Sequence, residues 1–166
     1  MTKVEQYARD HQRFHPAIIK ILQPLFVGSS ALDLAGVKFK VLDLAGFAAL
    51  RAKLRLPMAW IFVLRDTVIG ELGRINVPSE VGRGYDLSTP GGMAVIAHEL
   101  VHVVQWRKAK WKFMWQFVIG VITSRMHGKW YLHSYFPYEQ EAIAFQNREA
   151  VPYLLQADLA PMTELR

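Results

Sequence analysis

AVIAHELVHVVQW, residues Ala94 to Trp106, sets two histidines four apart in an apolar run, with a glutamate directly after the first. On a helix, positions i and i+4 share one face with Cβ atoms about 5–6 Å apart. His98 and His102 can therefore each aim a ring nitrogen at a single ion, at the roughly 2.0–2.1 Å of a zinc–imidazole bond. Glu99 sits one step around the helix, where its carboxylate reaches a water beside the ion without ligating the ion. That is where a general base for metal-assisted hydrolysis belongs. The plainer reading is that a histidine on an apolar face is a satisfied core residue. Val95, Ala97, Leu100, Val101, Val103 and Val104 make this helix apolar nearly all round, so it is expected to be buried. Three polar side chains in such a helix each need a partner. One metal ion satisfies all three, and this decides for a metal.

The loop before it, PSEVGRGYDLSTPGG, contains Gly82-Arg83-Gly84, but Leu87 stands where a dinucleotide fingerprint needs another glycine. No Gly-Lys-Ser/Thr follows, so a phosphate cradle is not supported. Ser88-Thr89-Pro90 supplies an N-cap and a proline at the first helical position. The helix is expected from about Gly91 to Lys108.

A catalytic zinc takes three protein ligands and keeps one position open. The extended pattern HExxHxxGxxH would place Gly at 105 and His at 108. Gln105 and Lys108 stand there instead, and that arrangement is excluded. The next acidic residues after Glu99 are Glu139 and Glu141, with His127 and His133 as competitors. Two residues apart on a helix is about 200° of rotation, so only one of the two glutamates can face the ion.

HELVHVVQW followed by PYEQEAIAF resembles the zincin-like metallopeptidases of the gluzincin type. It also resembles small bacterial proteins in which His-Glu-Leu-x-His-x-x-Gln precedes Pro-x-Glu-x-Glu-Ala. The resemblance covers roughly Thr89 to Gln146. It implies a peptide or protein substrate and Zn2+ held by His98, His102 and Glu139, the last lying three residues before Ala142. Glu99 would be the catalytic base, and Glu141 would act beside the site or as a surface charge. Related enzymes often carry Asp after the alanine, whereas this chain has Ile143, so the partner of one ligand imidazole is unassigned. An oxyanion donor is sought among Tyr131, His133, Tyr135 and Tyr138. The strand AWIFVL or TVIGELGRINV would be the edge along which an extended peptide lies.

At 166 residues and 52% hydrophobic, the chain is expected to form one domain, 1–166, with a packed core. The absence of cysteine excludes disulfide frameworks, Cys-type zinc fingers, iron–sulfur clusters and thiol nucleophiles. Any metal must be held by histidine and carboxylate. The polar N-terminus MTKVEQYARDHQRFHP lacks the apolar stretch of a signal peptide, so cytoplasm is the expectation. Phe113 to Ile122 is the longest apolar run beside a basic flank. It is short of the about 20 residues a membrane span needs, and Gln116 interrupts it.

Val4 to Phe26 reads as helix divided at Pro16. LDLAG occurs at Leu32–Gly36 and again at Leu42–Gly46, flanking an alternating strand, VKFKVLDL. Phe47 to Leu56 reads as a short helix stopped by Pro57. AWIFVL and TVIGELGRINV read as strands turning at Arg65-Asp66. Helices are expected again over about Lys112–His127 and from Pro137 through EAIAFQNREAV. This order predicts an α+β fold: a zincin-like small sheet packed on the buried helix and further helices.

Charge is uneven along the chain. No Asp or Glu lies between Leu100 and Tyr138, where Arg107, Lys108, Lys110, Lys112, Arg125 and Lys129 fall. The other fourteen basic residues equal the fourteen acidic ones, so the net +6 arises in this segment alone. Its ordinary reading is a solvated helix end beside the negative pole of the preceding helix. Its sharper reading is a peripheral contact, over residues 107–122, with an anionic membrane surface. No specific nucleic-acid partner is expected.

Overall fold

The computed structural model describes residues 2–41, 61–70, 86–126 and 136–165. Thr2 accepts a hydrogen bond from the Glu5 amide and caps α1, Lys3–His11. Gln12 takes a left-handed conformation (φ 52) that closes the helix and turns the chain. Pro16 opens α2, Pro16–Leu22, at the position where a missing N–H costs nothing. The predicted division at this proline therefore holds, with residues 12–15 between the two helices. Leu34–Gly36, in the first LDLAG copy, is a tight turn capped by Asp33. The second copy and the expected helix at Phe47–Leu56 lie outside the described residues.

Three short strands follow: β1, Lys38–Val41; β2, Ile61–Leu64; and β3, Thr67–Gly70. They form a sheet of order β1-β3-β2, with β1 parallel and β2 antiparallel to β3. The turn at Arg65-Asp66 is where the sequence placed it, and Arg65 adopts φ 60 to make it. Phe39 and Val63 flank Val68 in register, and Phe39 and Val68 are fully buried. Lys38 and Lys40 alternate outward. Phe39 packs on Phe14, ring centroids 4.8 Å apart, which ties the sheet to the N-terminal helices.

The helix α3, Pro90–Met126, is broken at Ala109, whose φ −149 and ψ 57 are not helical. The break falls between the two helices expected from the sequence. Before it, Met93, Ala94, Ile96, Ala97, Leu100 and Val103 are wholly buried. After it come α4, Pro137–Phe145; α5, Val151–Leu154; and α6, Ala160–Glu164. Between α4 and α5 the turn widens to π over Gln146–Ala150, with Val151 N–H bonding back to Gln146. Pro152 has no N–H for the ordinary ladder, which accounts for a register change just before it. One apolar cluster joins all these helices to β1 and β3. The fold is α+β. Among the described residues no helix is long and apolar enough to cross a membrane.

Candidate metal centre

The site is aimed by the start of α3. Thr89 Oγ1 accepts from the Gly92 amide at 3.1 Å and donates to the Asp86 carbonyl at 2.7 Å. Asp86 Oδ1 in turn accepts from the Ser88 amide and hydroxyl at 2.9 and 2.7 Å. A Cβ on Gly92 would meet the Asp86 carbonyl oxygen at 2.0 Å, so only glycine lets the loop close over the helix end. This clamp fixes where the next two turns point their side chains. His98, Glu99 and His102 are only 7%, 7% and 5% exposed.

The third group arrives from α4. Pro137 sits at its first position and Glu139 in its first turn, where a carboxylate meets the positive helix pole. Glu139 Oε2 lies 3.2 Å from His98 Nε2, and its Oε1 lies 3.3 Å from His102 Nε2. The two imidazoles meet edge to face, centroids 4.9 Å apart. One ligand atom from each residue falls within 4.8 Å of the others, so this group can hold a metal ion.

Hydrogen bonding fixes the tautomer of one ligand. Gln105 Nε2 donates to the Tyr138 carbonyl and to Glu141 Oε2, both at 3.0 Å. Its Oε1 is thereby the atom turned to His102 Nδ1, 2.7 Å away, and accepts that proton. His102 Nε2 is left with a lone pair, and this buried nitrogen has no hydrogen-bond partner despite its closeness to Glu139. An unpartnered buried lone pair facing a carboxylate and a second imidazole is what a bound cation resolves. His98 Nδ1 is also buried without a partner.

Burial pushes the His102 pKa down. The Glu139 carboxylate 3.3 Å from Nε2, the charge of Glu99 and the bond to Gln105 outweigh it and raise the pKa above its ordinary value. A metal must displace that proton, so affinity weakens with acid.

Of the two downstream glutamates, Glu139 joins the histidines. Glu141 turns away to hold Gln105, as the 200° of helix rotation between them requires. Gln105 is the residue whose role the sequence did not disclose. Aromatic rings seal one side: Phe113 lies 6.0 Å from the His102 ring and 5.3 Å from Tyr138, and Phe136 stacks 6.4 Å from His102. Tyr138 serves through its carbonyl and this packing. His127, Tyr131, His133 and Tyr135 lie outside the described residues. Of the two strands considered as a peptide edge, TVIG is the central strand, paired on both sides. Of the two, Ile61–Leu64 lies at an edge of the sheet among the described residues, and residues 71–77 of the other lie outside them.

No protein-family model, curated protein or solved structure matches the chain.

Proposed function

We propose that the protein is a zinc-dependent peptidase of gluzincin type, its ion held by His98, His102 and Glu139. The observation that carries the reading is the convergence of two imidazole nitrogens and a carboxylate, drawn from two helices, onto one buried point. Two nitrogens and one oxygen suit zinc and leave a coordination position open. A zinc ion in this set supplies Lewis acidity, polarising a carbonyl and acidifying water. Glu99 takes the proton of the attacking water and returns it to the leaving amine. Gln105 holds the His102 ring in the tautomer that leaves Nε2 free to ligate, and Glu141 and the Tyr138 carbonyl hold Gln105. Phe113 and Phe136 keep water from that flank.

The test is Glu99→Gln, assayed for zinc and for cleavage of a peptide library. Zinc retained with cleavage lost is the expected result, and cleavage equal to wild type refutes the assignment. A second reading is a zinc site that pins α3 to α4 without turnover. The burial of His98, Glu99 and His102 favours it. Absence of cleavage by zinc-loaded wild type would select it.

A further inference from the structure

Beyond Ala109, α3 serves the metal centre through Phe113, and its opposite face is open. Trp111 is 88% exposed and Trp115 67%, and Val118, Ile119 and Ile122 are exposed with them. Steps of four, three, one and three residues put these five on one helical face. A contiguous stripe of large apolar side chains in water marks an interaction surface. We propose that this stripe docks on an anionic lipid bilayer, with the helix lying in the interface.

Charge selects this occupant. Arg107, Lys108, Lys110 and Lys112 are exposed around the break, and no acidic residue occurs between Leu100 and Tyr138. Lys110 and Lys112 fall about 100° to either side of Trp111, so they flank the stripe. There their stems lie along apolar surface while the ammonium groups reach phosphate headgroups. Tryptophan, apolar in body and polar at its indole N–H, suits the same depth. A second copy of the chain would set a cationic rim against a cationic rim, with no acid in the segment to pair it. No described helix is long and apolar enough to cross a membrane, and an amphipathic stripe of this kind suits a helix lying in the interface. Phe113, about 200° around the helix from Trp111, faces His102. Docking therefore holds the metal centre roughly one helix diameter, about 10 Å, from the headgroups.

The test is flotation of the full chain with vesicles of phosphatidylglycerol and phosphatidylcholine, and with phosphatidylcholine alone, following tryptophan emission. Binding to the anionic vesicles only, a blue shift, and release by salt are expected. Chelator treatment and Glu99→Gln leave binding unchanged, so a failure of the peptidase assignment is separable. Lys110→Gln with Lys112→Gln weakens binding roughly thirtyfold. Trp111→Ser with Trp115→Ser abolishes the blue shift while the melting temperature is kept. The proposal is overturned if anionic vesicles do not bind the protein or bind it no better than neutral ones. It is equally overturned if sedimentation shows a dimer that the tryptophan variant dissociates.

Discussion

The two halves of α3, before and after Ala109, are both apolar, and their surroundings are opposite. Before the break the helix is buried, and the polar residues are the exceptions: His98, Glu99, His102 and Gln105. After it, the apolar side chains are the exceptions, since Trp111, Trp115 and Ile122 stand in solvent. In each half, the side chain that violates the ordinary inside–outside rule carries the proposed role. A buried polar group needs a partner, and four together define a centre. An exposed apolar stripe needs a cover, and its cationic rim says which.

The contrast can be broken from the buried side first. Glu99→Gln is expected to lower peptide cleavage by about 10²–10⁴-fold, measured as kcat at saturating zinc, with the fold intact. Gln105→Leu removes the acceptor for His102 Nδ1–H. Zinc affinity by competition with a chromogenic chelator should then fall roughly 10–100-fold. An unchanged affinity would mean that the ring needs no such anchor.

The pH dependence comes next in size. In zinc-free protein the folded state raises the His102 pKa above 6.5, so the charged ring adds stability fully present below that value. This contribution is lost as pH rises through the raised folded value. Chelator-treated protein should therefore melt at lower temperature as pH climbs through that window, and Glu139→Gln should flatten the slope. A melting temperature that rises across the window instead would contradict the pairing. Smallest of all, Trp111→Ser with Trp115→Ser should shift folding stability by about 0.5 kcal/mol or less, read by urea denaturation. A large loss would place the stripe in the core and erase the contrast between the halves.

Much of this was legible in the sequence because it is local. Thr89 and Pro90 announce the helix start, the Lys108–Lys112 stretch anticipates its break, and the i, i+4 histidines declare a shared face. Pro16 and Arg65-Asp66 were equally readable, since proline and two-residue turns act within a few residues. What escaped depends on contacts between distant elements. Gln105 looked idle because its partners, Tyr138 and Glu141, lie 33 and 36 residues away on another helix. Glu139 was named from the resemblance alone, and it is the register of α4 on α3 that brings it, and not Glu141, to the histidines. Strand order escaped too: TVIG has the alternation of an edge strand and sits in the middle of the sheet. That the stripe at Trp111 faces solvent required knowing that Phe113 faces the metal centre.

The proposed function depends on His98, His102 and Glu139 together holding a metal ion. Zinc per chain, measured on wild type, Glu139→Ala and Glu141→Ala after identical dialysis, tests this most directly. One equivalent is predicted in wild type and in Glu141→Ala, with loss in Glu139→Ala. Zinc lost only from Glu141→Ala, or none in wild type after zinc loading, would contradict it.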